Sequence, residues 1–200
     1  SSLVLMCHNN SNIDNKFLKQ IKKLNNYIDQ VLYYVRSNYT EEDFLIKKVS
    51  LDKIVSNVLL NNKDDILENN IELDINIKNI EVYTDSKWLE FIINQIINNC
   101  IKYKKQDNSI IRIIGTSLNN KVVLSIWDNG IGIQKSDLPK VFNKSFTGNN
   151  GRGSTKSTGM GLYITKKLCD KLGHKIEIDS IKGKYTNINI IFGKNDFYKI

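Results

Sequence analysis

The sequence predicts an α+β fold, a mixed sheet covered on one face by helices, with a separate helical segment in front of it. Three observations lead there. Short strand-like runs recur between residues 46 and 192, and apolar stretches with helical spacing separate them. Two neighbouring pairs of these runs are joined by turn formers, Asn119-Asn120 and Lys182-Gly183. The early part of the chain carries a long 3-and-4 apolar spacing instead.

That first segment covers residues 14–36. Phe17, Leu18, Ile21, Leu24, Ile28, Val31, Leu32 and Val35 form a heptad-like seam on one helix face, and Ser11, Asn12 and Asp14 offer caps before it. One helix cannot bury such a stripe alone. The seam calls for a partner helix or a second copy of the chain, or else it rests on the domain that follows. Residues 1–7 fit the end of a preceding helix, with 8–13 as the turn of a hairpin. A polar linker, 38–43, follows.

Beyond it, 46–49 is a short strand, and Ser50 or Asp52 caps a helix running to about Leu67. Residues 71–77 alternate apolar and polar, as a half-exposed strand does. A short strand at 81–84 precedes Asp85 or Ser86, the cap of a strongly apolar helix from Trp88 to Tyr103. Residues 110–117 and 121–127 form a hairpin. Residues 161–172 are helical, with Gly173 suited to the C-cap. The pair 175–179 and 186–192 completes the sheet.

The 200 residues suffice for one domain plus an appendage, and no apolar run reaches the roughly 18 residues of a membrane span. Residues 1–6 are apolar but lack the basic region and small-residue cleavage site of a signal peptide. Cys7, Cys100 and Cys169 are sparse and odd in number, which argues for a reducing compartment and against a disulfide frame or zinc site. The net charge of +8 comes from scattered lysines in a chain rich in Lys, Asn and Ile throughout. With no clustered basic face or aromatic platform, a nucleic-acid partner is not expected.

The stretch 128–162 is the richest in chemistry. A buried-type strand delivers Asp128 into the turn Asn129-Gly130-Ile131-Gly132. A carboxylate there can accept a hydrogen bond from an exocyclic amine of a purine, although Asp-Asn-Gly is equally an ordinary hairpin turn. Ser157-Thr158-Gly159-Met160-Gly161 opens a helix whose N–H groups favour phosphate, although many such glycine pairs only ease packing. It is not a Walker loop, because Ser154 stands where lysine is required. Between them, 143–157 is polar and glycine-rich with Arg152, as in a lid over phosphates or a plain loop. Phe142 and Phe146 are the expected hinge anchors, packed into the core. On the preceding helix Gln95 and Asn99 share a face, with Lys102 and Tyr103 one turn on. Asn99 can give a neutral oxygen to Mg²⁺ and Lys102 can meet a phosphate. Carboxylate, two glycine turns and an intervening loop together suit ATP.

In order and spacing, Asn99 with Lys102-Tyr103, then 128–132, Phe142 and Gly159-Met160-Gly161-Leu162 resemble the four nucleotide boxes of sensor histidine kinases. These belong to the superfamily that includes gyrase, Hsp90 and MutL, and the likeness covers about residues 40–193. Residues 84–89, 146–152 and 172–174 look like the subgroup with a small membrane sensor responding to peptide antibiotics in low-GC Gram-positive bacteria. The resemblance implies an ATP-grasping two-layer sandwich at 39–200, with 1–38 as the C-terminal part of a dimerisation and histidine-phosphotransfer hairpin. It implies a cytoplasmic domain of a membrane sensor, homodimeric in the full-length protein, with ATP, Mg²⁺ and a response regulator as partners.

The implied roles follow the boxes. Asp128 binds the adenine amine, and Thr186 helps to hold adenine. Asn99 holds Mg²⁺, Lys102 a phosphate, and Tyr103 lies against the nucleotide. Gly130, Gly132, Gly159 and Gly161 shape the pocket, Leu162 packs near the phosphate turn, and Arg152 reaches a terminal phosphate. Two departures matter. Gln95 replaces the glutamate that activates water in relatives outside the kinases, which fits phosphoryl transfer better than hydrolysis. Neither His8 nor His174 has the context of the family's phosphoacceptor. Residues 1–5 resemble the sequence just after it, so the acceptor is expected a few residues upstream of Ser1, and self-phosphorylation is not expected. His8 is expected on the surface and His174 as a helix-to-strand connector. The competing readings are another kinase or ATPase of the superfamily, and a non-catalytic nucleotide-binding dimeric scaffold.

Overall fold

The computed structural model describes residues 44–118, 121–148 and 158–193, together with Phe17, Gln20, Ile21, Leu24 and Ile28. The chain divides into two units, Ser1–Thr40 and Glu41–Ile200. In the first, the five described residues are helical, and Phe17, Leu24 and Ile28 of the expected seam are exposed. The rest of that helix and the hairpin turn before it lie outside the described residues, as does the turn at Asn119-Asn120.

The second unit begins with β1 (Lys47–Ser50), α1 (Leu51–Asn61) and α2 (Lys63–Glu68). Then come β2 (Ile71–Asn76), β3 (Glu81–Thr84), α3 (Ser86–Lys102), β4 (Ser109–Leu118) and β5 (Lys121–Asp128). After a 3₁₀ turn at Leu138–Lys140 follow α4 (Gly161–Lys171), β6 (Lys175–Ile181) and β7 (Tyr185–Phe192). Strands β1 and β3 pair antiparallel as a small ribbon. The other five form one sheet in the order β2-β4-β5-β7-β6, parallel only between β2 and β4. Among the described residues no helix is long and apolar enough to cross a membrane.

Alternation assigns the two faces of the sheet. Ile113, Ile126 and Ile188 stand opposite one another across β4, β5 and β7 and are almost fully buried. Each contributes roughly 1.5–3 kcal/mol by leaving water. Helix α3 lies over this face and packs between α1 and α4. Its Leu89, Ile92, Ile93, Ile96 and Ile97 are completely buried, so the apolar face read from sequence is the centre of the core. The opposite face of the sheet is polar with an aromatic middle. There Asp74, Arg112, Trp127, Asn187 and Asp179 form one row across all five strands. Arg112 Nε donates to Asp74 at 2.5 Å while its guanidinium lies over the Trp127 ring. Trp127 in turn stacks near Tyr185.

The one long helix expected to reach Leu67 is two helices. Asn62 leaves helical geometry at φ −105°, ψ 8°, and its buried amide donates to Val58 O at 2.8 Å and to Asn94 Oδ1 on α3 at 2.7 Å. The tie to α3 holds the break in place. Helix α4 ends as expected, with Gly173 at φ +70°. His174 then turns inward as the expected connector. Its Nε2 lies 2.9 Å from Thr84 Oγ1, its ring meets the edge of Phe192, and burial lowers its pKa to about 4.

Asp85 fixes the start of α3. One carboxylate oxygen accepts from the N–H groups of Lys87 (2.9 Å) and Trp88 (3.3 Å), and the other accepts from Leu45 N at 2.9 Å. Removing a cap costs ~1 kcal/mol, and a further buried hydrogen bond about as much. Asp85→Ala is therefore expected to lower stability in urea unfolding by about 2 kcal/mol. Asp85→Asn, which keeps a capping oxygen, should recover most of that loss.

Candidate nucleotide-binding site

The last turn of α3 and the turn after β5 are joined through one backbone oxygen. Tyr103 O accepts the Ile131 N–H at 3.0 Å, and a Cβ at Gly130 would stand 2.4 Å from that same oxygen. Gly130 is thus required by the protein's own backbone. Gly132 sits at φ +63°, and a Cβ there would meet Ile181 O at 2.2 Å. Gly183 N donates to Ile131 O at 2.7 Å, closing the turn against the β6–β7 connection. Asn129 splices the strand ends: its Oδ1 accepts from Ile110 N at 2.9 Å and its Nδ2 donates to Asn108 O at 2.7 Å. Asn99 is half-buried on α3, four residues before Tyr103, and Lys102 is exposed with its Nζ over the Tyr103 ring.

At this end of the sheet the apolar inner face turns polar. Asp128 lies opposite Thr186, and Thr186 lies opposite Ser180, so β5, β7 and β6 each place one polar side chain on the same inward row. Asp128 is 7 % exposed. Its Oδ1 accepts the Gly130 N–H at 2.8 Å, and the buried thiol of Cys100 on α3 lies against the same carboxyl group. Burial raises the Asp128 pKa to about 6, opposed by these two hydrogen bonds. Burial also holds the Cys100 thiol well above its usual pKa. A carboxylate with two protein donors keeps lone pairs for a ligand donor. The residues therefore fit an amine-bearing base.

The second glycine turn meets the hinge region. Gly159 has φ +65°, and a Cβ on it would lie 2.5–2.8 Å from the backbone of Ser145 and Phe146. A Cβ on Gly161, the first residue of α4, would come 3.0 Å from Gln95 Oε1. The buried Gln95 thus faces the start of α4. Leu162 is half-buried. The hinge differs from expectation, because Val141, at 6 % exposure, is the residue packed inside, whereas Phe142 and Phe146 are half-buried. The tight turn at Leu138–Lys140 carries Val141 inward and leaves Phe142 on the rim. Arg152 and most of the expected lid lie outside the described residues. Sequence reasoning missed Ser180 and Cys100, whose only signals were a polar residue at an inward strand position and a cysteine beside Asn99.

With this arrangement in view, the matches to known proteins are specific. Residues 84–195 match the model of the histidine kinase-, DNA gyrase B-, and HSP90-like ATPase family, and the chain belongs to that family. It is 31% identical over 175 residues to the sensor histidine kinase YxdK of Bacillus subtilis, covering 87% of this chain and 54% of the relative. It is 36% identical over 177 residues to the sensor protein kinase GraS of Staphylococcus aureus, covering 88% and 50%. The chain thus spans about half the length of the curated relatives it matches. The fold matches histidine kinase ThkA, solved in complex with the response regulator protein TrrA, with a TM-score of 0.70 at 18% identity over 96% of this chain and 53% of that one.

The raised Asp128 pKa has a cost for the fold. A carboxyl group with a pKa of 3.8 unfolded and about 6 folded destabilises the folded state at pH above both values. The cost, on the order of 3 kcal/mol, is relieved as pH falls through 6 and is gone below 3.8. Asp128→Asn is therefore expected to gain stability relative to wild type at pH 8 and to lose that advantage by pH 4 in urea unfolding. A difference independent of pH would contradict the buried-charge account.

Proposed function

We propose that this chain carries the ATP-binding catalytic domain of a two-component sensor histidine kinase, which passes the γ-phosphoryl of ATP to a histidine and from there to a response regulator. The observation that carries this reading is the meeting of the Asp128–Thr186 row, the Asn99 face of α3 and the N-terminus of α4 around the two glycine turns. Ionised Asp128 accepts the exocyclic amine of adenine, with Thr186 beside it. Tyr103 lies along the nucleotide, and Gly130 and Gly132 set the turn that bounds the base. Lys102, free of any carboxylate salt bridge among the described residues, meets a phosphate. The N–H groups at Gly161 and Leu162, opened by Gly159, favour the phosphate chain, Phe142 lines the rim, and Arg152 reaches the terminal phosphate. Asn99 supplies an oxygen for Mg²⁺, which when bound neutralises phosphate charge.

For phosphoryl transfer the protein's part is chiefly positioning and charge stabilisation. Gln95 has no basic carboxylate with which to activate water, so the site favours transfer over hydrolysis. His174 is not the acceptor, because it is 3 % exposed and engaged with Thr84. His8 lacks the acceptor's sequence context. The similarity to YxdK and GraS supports a place in a sensor kinase of the peptide-antibiotic type; we also propose that this protein sits in the membrane as a dimer through its helical hairpin.

Calorimetric titration with ADP and Mg²⁺ tests the reading. Wild type should bind in the micromolar-to-millimolar range at pH 7.5 and progressively more weakly below pH 6, where Asp128 takes up its proton. Asp128→Ala should abolish binding while the protein stays folded. Asn99→Ala should bind ADP with an affinity indifferent to Mg²⁺. Retained binding in Asp128→Ala would sink the adenine assignment, and an unchanged Mg²⁺ dependence in Asn99→Ala the metal assignment.

A further inference from the structure

Ser180 sits at the edge of the polar row, next to Thr186 on β7, and is 6 % exposed. Its hydroxyl has three neighbours. Oγ is 2.6 Å from Tyr185 O, 2.9 Å from Ile133 N and 3.2 Å from Thr186 Oγ1. A carbonyl only accepts and a backbone N–H only donates. The single Ser180 proton therefore goes to Tyr185 O, and one Ser180 lone pair takes the Ile133 N–H. What Ser180 has left for Thr186 is a lone pair, so the Thr186 hydroxyl must be the donor between them. With its proton committed, Thr186 Oγ1 has only lone pairs to offer a ligand. Beside it stands Asp128, which when ionised is also acceptor-only.

We infer that Ser180 is a positioning residue that fixes the hydrogen-bond polarity of Thr186, making the base end of the pocket a wall of acceptors that selects an amino-purine over an oxo-purine. The inference rests on the reading of Asp128 and Thr186 as the base-binding wall, and it adds a source of base selectivity that does not touch the ligand. The same hydroxyl holds the turn after Asp128 through Ile133 N, so one side chain keeps the turn and the wall in register. With the Asp128 and Thr186 oxygens both facing position 6, an oxo-purine brings an acceptor where adenine brings its amine, and the wall of lone pairs repels it; its N1–H lies one atom further along the edge. Were Thr186 free to turn its proton outward, it could serve either base.

The test is the ratio of ADP to IDP affinity with Mg²⁺ at pH 7.5, measured by calorimetry. IDP carries an oxo group in place of the amine and an N1–H in place of a bare N1, and the two ligands share their sugar and phosphates. Wild type should prefer ADP. Ser180→Ala should lower that preference roughly 3- to 10-fold, the worth of one hydrogen bond. Thr186→Val, which keeps the side-chain shape and removes the hydroxyl, should lower it by a similar factor. The double variant should lose no more than either alone, because Ser180 acts through Thr186. A general loosening of the sheet edge would weaken both nucleotides alike and leave the ratio unchanged. A wild-type ratio in Ser180→Ala overturns the proposal, as does multiplication of the two losses. Should Ser180→Ala fail to fold, a wild-type ratio in Thr186→Val overturns it alone. Wild type binding neither nucleotide would remove the nucleotide reading itself, an outcome distinct from binding both without Ser180 dependence.

Discussion

The carbonyl oxygen of Tyr103 is the joint on which this site depends. It ends α3, takes the Ile131 N–H, and leaves no room for a side chain at Gly130. The helix that carries Asn99 and the strand that ends in Asp128 are therefore held at a fixed separation by backbone. Side-chain hydrogen bonds at loops are individually weak and easily exchanged for water, whereas this contact joins two elements already buried in the core. On the far side, the Gly132 contact with Ile181 and the Gly183–Ile131 hydrogen bond clamp the same turn to the β6–β7 connection. The turn is gripped from both sides, which gives it the rigidity of the sheet.

The chemistry of the row at the sheet's end follows from ordinary strand periodicity. Ile113, Ile126 and Ile188 are one rung of the apolar inner face, and Asp128 and Thr186 lie one inward step along the same strands. Placing a carboxyl group there costs desolvation energy, and the lifted pKa measures that cost. A fold selected for stability alone would continue the isoleucines. A carboxyl group kept at the mouth of an otherwise apolar layer is what a ligand donor can use.

Most of the architecture was legible in the sequence because local and global signals agree. Alternation identified the strands, the apolar face of 88–103 identified the central helix, and turn residues located the strand connections. The glycines were legible as positions but not in their cause. The family resemblance has them shape the pocket, whereas in the structure Gly130, Gly132 and Gly159 make room for the backbones of Tyr103, Ile181 and Ser145-Phe146. The break at Asn62 was invisible because its partner, Asn94, is 32 positions away. Val141 and Phe142 could not be distinguished, since hydrophobicity favours the phenylalanine and only the turn geometry favours the valine. Ser180 is an ordinary strand serine until β7 is laid beside it. What the sequence could not supply in each case was a contact between distant segments.

The strand order also has a consequence for how the molecule comes to exist. Strands β4 and β5 are neighbours in sequence, as are β6 and β7, so each pair can form by local closure. Their union along β5 and β7 brings together segments separated by the whole stretch that contains α4, and it is that entropically more expensive closure that sets Asp128 opposite Thr186. The polar row of Asp128 and Thr186 therefore has no precursor in either half of the sheet. A chain emerging from synthesis acquires that row only once β7 has been made, so a molecule made only as far as β6 lacks the pairing of Asp128 with Thr186 altogether.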